Sequence, residues 1–222
     1  EQGVAATTAE NATAPAAAER APDVPPDWRF TAEILTRHNQ LLPVVDESTR
    51  LGNGQLVFTG LTATDAAGQP AAEFSYNDEV TLHYRLEARA AIDSDFVLGI
   101  RFRDVRGNFV CSYQDLGAVQ RLRVAAGEIV HARIAFRLPL AHGDYIIRTG
   151  IFGFTGGSAY EGSTYDFGRA VLWDVREDAL HLRVRVNPTM PLAGPVHFSA
   201  PLRICTAEGE QERTPLSFPS QS

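Results

Sequence analysis

The sequence contains no lysine: all 20 of its basic side chains are arginine, set against 27 acidic ones, for a formal charge of −7. An acidic balance of that size argues against a nucleic-acid partner held by phosphate neutralisation. Cysteine occurs only at Cys111 and Cys205, too few for a disulfide framework or a zinc site. No apolar run reaches the length of a membrane-spanning helix. No basic stretch leading into an apolar segment follows Glu1, so no signal peptide is expected, and the missing initiator Met points to a fragment or a processed chain. Catalytic signatures are missing too: there is no GxSxG elbow, HExxH, CxxC or Walker loop. The six histidines are scattered, and His83, His131 and His181 fall on polar faces of predicted strands, where solvated side chains are expected rather than metal ligands. Asp93 and Asp95, flanking Ser94, read as turn residues rather than a calcium site or a carboxylate pair. No metal, no cofactor and no enzymatic activity are expected.

What is present is strand. The 222 residues are 44% hydrophobic, a globular composition, and a compact fold of this size buries roughly 70% of its unfolded surface. Residues 1–27 are rich in Ala, Pro, Glu and Thr with almost no large apolar residue, which predicts a flexible linker. Residues 28–54 are transitional, and Arg50-Leu51-Gly52-Asn53-Gly54 reads as a turn. Strands are predicted over 55–64, 79–87, 96–104, 109–114, 128–138, 144–154, 165–175 and 179–186, with Val80, Leu82, Tyr84 and Leu86 alternating against Thr81, His83, Arg85 and Glu87. With no helices between them, these strands imply an all-β, antiparallel β-sandwich, immunoglobulin-like or jelly-roll-like. The folded domain is assigned to 28–186. Residues 187–222 carry six prolines and read as a C-terminal arm in which VHFSAPLRIC forms at most an edge strand, of a kind that can be exchanged with a second chain.

The informative surface is the face turned away from the core. In 96–104, Leu98, Ile100 and Phe102 alternate with Gly99, Arg101 and Arg103, so an apolar set facing inward sends two arginines outward. In 144–154 neither face is polar, which predicts a strand covered on both sides or a sticky outer patch. Sugar rings stack their C–H faces on aromatics and bond their hydroxyls to planar polar groups. Arg101, Arg103, Arg148 and Gln114, bordered by Tyr113, Phe152, Phe154 and Trp173, offer both, and arginine suits an anionic sugar or phosphate. Tyr160, at the tip of the glycine-rich 155–164 loop, completes the candidate carbohydrate-binding set. The competing reading makes the aromatics core or interface residues and the arginines a solvated face.

The stretches GNGQLVFTGLTATDAAGQP (52–70), YNDEVTLHYRLEA (76–88), FVLGIRFRDVRGNFVCSYQ (96–114), AAGEIVHARIAFRLPLAHGDYIIRTGIF (125–152) and EDALHLRVRV (177–186) follow one another in an order that resembles the C-terminal domain of Wzt, the nucleotide-binding subunit of O-antigen ABC exporters. The resemblance implies a cytoplasmic immunoglobulin-like sandwich, associated with the inner membrane through the transporter and dimeric by exchange of terminal strands. It implies a non-catalytic module that recognises the modified non-reducing terminus of a lipid-linked glycan and licenses its export. Its partners are then the terminal sugars, the ATPase and the permease of the same system. The ATPase is absent from these residues. An immunoglobulin-like dimerisation or docking module without glycan binding is the alternative. A carbohydrate-active enzyme fragment ranks last, since nothing pairs Asp104, Asp115, Glu161 or Asp166.

Overall fold

The computed structural model describes residues 48, 50–114, 120–161, 164–165, 167–186, 202–206 and 209–211. Residues 1–47 and most of the 187–222 arm lie outside the described residues. Thirteen strands are seen: β1 (Leu56–Thr64), β2 (Glu73–Ser75), β3 (Glu79–Ala88), β4 (Ile92–Asp104), β5 (Phe109–Gln114), β6 (Gln120–Val124), β7 (Ile129–Arg137), β8 (Gly143–Phe154), β9 (Tyr160–Glu161), β10 (Thr164–Tyr165), β11 (Ala170–Arg185), β12 (Leu202–Thr206) and β13 (Gly209–Gln211). Among the described residues there is no α-helix. The fold is the all-β sandwich that the alternation predicts. One sheet runs β1-β3-β7-β12-β13 and the other β2-β11-β8-β4-β5, with β6 also on β4 and a separate β9–β10 ribbon.

Period-two alternation builds the core. Val80, Leu82, Tyr84 and Leu86 of β3 face Leu98, Ile100 and Phe102 of β4 and Ile147 and Ile151 of β8 in one continuous cluster. Phe102 and Phe136 meet edge to face across the sheets, with ring centroids 6.0 Å apart.

Several sequence expectations change. Asp93, Ser94 and Asp95 are not in a turn: they are the first part of β4, paired with β6. The segments predicted over 165–175 and 179–186 join from Ala170 onward into one long strand, β11, interrupted by bulges at Leu172/Asp174 and Arg176/Leu180. The short β2 pairs with β11 in parallel, an exception to the antiparallel rule made possible by the long chain between them. Within the proline-rich arm, β12 pairs with β7 and β13 lies outside it, so β12 is not the edge. His83 and His131 are not solvated: they are 2% and 6% exposed. His181 is exposed.

Candidate carbohydrate-binding face

The outer face of the β4–β8 pair is fixed by register. Arg101 stands opposite Arg148, Gly99 opposite Gly150, and Val97 opposite Phe152. Partners in an antiparallel pair point to the same side, with Cβ atoms about 4.5–5.5 Å apart. The inward set of each strand belongs to the core, apolar but for buried Thr149 of β8, so the arginines are turned outward. Arg101 is exposed, and Arg148 keeps 17% of its side chain accessible. On the other flank of β4, Ser112 stands opposite Arg101 and Gln114 opposite Gly99.

The paired glycines lower the floor between two rows of side chains. Along β4, Arg101 and Val97 are four residues apart, about 13 Å. Gly150 is not an empty notch: a Cβ there would lie 3.4 Å from Val175 Cγ2 and 3.5 Å from Phe152 Cε2. Phe152, half-buried, and Val175 therefore lean over the glycine toward the arginine row.

The glycine-rich loop closes one end of this face. Val97, Phe154 and Ala159 form a second small apolar cluster, with Tyr160 and Ala170 packed on it. The Ala159 amide donates to Asp95 Oδ2 (2.8 Å), Arg121 Nη1 donates to Gly157 O (2.8 Å), and Arg169 Nη2 donates to Thr155 O (2.6 Å). The loop is thus fastened over the sheet, and it covers one end of β8, whose two apolar faces the sequence left ambiguous.

Of the nine candidates, Arg101, Arg103, Arg148, Phe152, Phe154 and Tyr160 belong to this outer face. Phe154 is 4% exposed and acts as the base on which Tyr160 rests. Tyr113 and Trp173 do not join them. Tyr113 stands opposite inward-facing Ile100 and is 7% exposed, so it packs in the core. Trp173 is the extra residue of a β11 bulge and turns inward, 2% exposed, filling the space above Gly153. It lines instead a depression of about 330 Å³ at the end of the sandwich, with Asn53, Gln55 and Ser94. Gln114 is placed by its backbone beside Gly99.

Sequence reasoning missed Glu177. It sits in the second β11 bulge, and its carboxylate bridges two of the arginines: Arg148 Nε donates to Oε1 at 2.7 Å, and Arg103 Nη2 lies 3.0 Å from Oε2. The only hint was the acidic pair Glu177-Asp178 between the strands predicted over 165–175 and 179–186. Arg101 has no ion pair among the described residues.

A family model of the Wzt C-terminal domain matches residues 47–198, more than half of the chain. The chain belongs to the Wzt C-terminal domain family. A crystal structure of the C-terminal domain of Wzt shares the fold with a TM-score of 0.52 and 15% identity, covering 70% of this chain and 92% of that one. A search of curated proteins found no match. Family membership places the chain in O-antigen export by an ABC transporter, as a domain distinct from the ATPase. No helix among the described residues is long and apolar enough to cross a membrane.

Proposed function

We propose that the outer face of β4 and β8 is a non-catalytic binding surface for the modified non-reducing end of a lipid-linked O-antigen polysaccharide, and that its occupancy couples the finished glycan to the exporter. The supporting observation is the cross-strand row Arg101–Arg148 beside Phe152, over the paired glycines Gly99 and Gly150. The arginines supply donors for hydroxyl or acidic oxygens, and the ring supplies an apolar surface for a sugar face. In this reading the domain works on the cytoplasmic side of the inner membrane, as a homodimer, with the ATPase and permease of the same system. Calorimetric titration of the chain with matched capped and uncapped oligosaccharides tests it. Binding of the capped form alone is expected; equal binding, or none to either, overturns the proposal.

A docking module is the second reading, favoured by Val105, Phe109 and Val110, exposed at 68%, 61% and 43% at the β4–β5 hairpin. Loss of self-association on Phe109→Ser, with no glycan bound by the parent chain, is what that reading predicts.

A further inference from the structure

Like charges placed directly opposite each other on neighbouring strands destabilise a sheet. Arg101 and Arg148 are such a pair, and Arg103 lies on the same face two residues along β4. Elsewhere on this sheet several arginines are matched: Arg121 and Arg123 to Asp93, Arg183 to Asp144 and Glu73. Here the Glu177 carboxylate serves Arg103 and Arg148, and Arg101 is left with no carboxylate among the described residues. Glu177 itself is held out by a bulge that skips three residues of the β8 pairing between Arg176 and Leu180. A local rule broken with only part of the charge compensated within the fold is expected at functional or strained positions. The missing compensation is negative charge.

Resting on the glycan-end reading above, we infer that the group gripped here is anionic, a phosphate ester or a carboxylate on the terminal sugar. Its oxygens take a charge-assisted contact from Arg101 and from Arg148. Glu177 is the internal carboxylate with which that anion competes for Arg148 and Arg103. The bulge places this acid where it holds two guanidiniums in position, and its flexible side chain lets it give way. Ser112, opposite Arg101 on β5, adds a hydroxyl at the rim. A neutral cap would leave Arg101 without a counter-charge and take only the weaker neutral hydrogen bonds from the two arginines.

The test is a two-dimensional NMR titration of the 222-residue chain, following backbone amides and arginine Nε–H groups. The probes are a methyl hexoside 6-phosphate, a methyl hexuronide, the neutral methyl hexoside, and inorganic phosphate. The expected result is that the phosphorylated or the carboxylated sugar binds about tenfold or more tightly than the neutral one, the size of one charge-assisted bond. The Arg148 Nε–H resonance, bonded to Glu177 in the structure, should shift during that titration. Arg101→Gln should remove the preference for the anionic sugar. Glu177→Gln should strengthen binding of that sugar several-fold, whereas a purely supporting acid would weaken it on removal. Thermal melts of both variants confirm folding. Equal binding of neutral and anionic sugars leaves the glycan reading standing and overturns this inference. Shifts with inorganic phosphate but with none of the sugars overturn the glycan reading and leave an anion site. No perturbation by any probe overturns both.

Discussion

At the residue scale, one position separates support from recognition. Trp173 has the size and polarity of a sugar-stacking residue, yet its ring fills the space where a Gly153 side chain would be: a Cβ on Gly153 would fall 1.8 Å from Trp173 Cζ2. Trp173→Ala should therefore cost about 3–5 kcal/mol of stability, the range for a buried large-to-small change. Urea unfolding measures that loss, and binding by whatever fraction stays folded should be unchanged. A glycan-binding defect without a stability defect would place the indole in the site after all. A second residue-scale case is Asp174, wholly buried. It takes the Arg50 Nη1 donor at 2.7 Å and the Phe58 amide at 2.9 Å, and it lies 3.7 Å from Arg176 Nε. Asp174→Asn keeps the shape and the amide contact but deletes the negative charge between two buried guanidiniums. Breaking a buried ion pair costs about 3–5 kcal/mol, so a drop of this order in denaturant midpoint energy is expected. A change under half of that would mean that other contacts hold the arginines.

At the element scale, the β4–β8 ladder decides the character of the face. Gly150 lies in its middle, and a methyl there would sit at ordinary contact distance from Val175 and Phe152. Gly150→Ala should leave the melting temperature within a degree or two, or raise it, because glycine weakens a strand interior. It should nonetheless weaken sugar binding by roughly tenfold or more by raising the floor, in line with the cost of one methylene's misfit in a pocket. Full affinity in a folded variant would place the sugar elsewhere.

This is also the scale at which the sequence was most and least readable. Alternation in FVLGIRFRD put Arg101 and Arg103 outward, because a strand with Leu98, Ile100 and Phe102 on one side has only one face to bury. The same logic found β3 and β7. It failed wherever pairing left register. Trp173 and Glu177 both sit in bulges of β11, and a bulge changes which face a residue occupies without leaving a mark in the hydrophobic pattern. Asp93-Ser94-Asp95 looked like a turn because its outward side chains are acidic. Those acids are spent on Arg121 and Arg123 of β6, a short strand whose apolar residues were too few to be noticed. His83 and His131 were read as wet because they alternate with core residues. A β-sandwich buries its inner faces by design, but nothing in the pattern says that an outer face is buried as well.

At the scale of the whole molecule, those two histidines set the response to acid. His83 bonds to Thr64 Oγ1 at 3.0 Å, and burial, helped by the neighbouring Arg133 charge, pushes it from 6.5 down to about 4. Burial, helped by Arg85, brings His131 from 6.5 to about 4 as well. Above pH 6.5 both are neutral whether the chain is folded or not, and stability is flat. Between 6.5 and 4 the unfolded chain takes up protons that the folded chain refuses, so stability falls with pH. At pH 5 the loss is about 2 kcal/mol for each histidine. Melting curves at pH 7.5 and pH 5 should show a clear drop in midpoint, and His83→Gln should shrink that drop. Identical midpoints at both values would mean that neither imidazole stays neutral through folding.

The chain's way into the sandwich has a mechanical consequence. Gly52, at φ +125°, passes so close to β11 that a Cβ would lie 2.4 Å from the Trp173 carbonyl oxygen. The amides of Asn53 and Gly54 donate to Leu172 O and Trp173 O at 2.9 and 2.8 Å, and Arg50 is locked to Asp174 at 2.7 Å. Residues 50–54 are thus fastened to β11 three residues from Glu177, just before the chain enters β1. The strand that carries Glu177 therefore also anchors the residues that lead into β1. Pulling β1 away from the sandwich would therefore have to shear these contacts with β11 as well as the β1–β3 ladder.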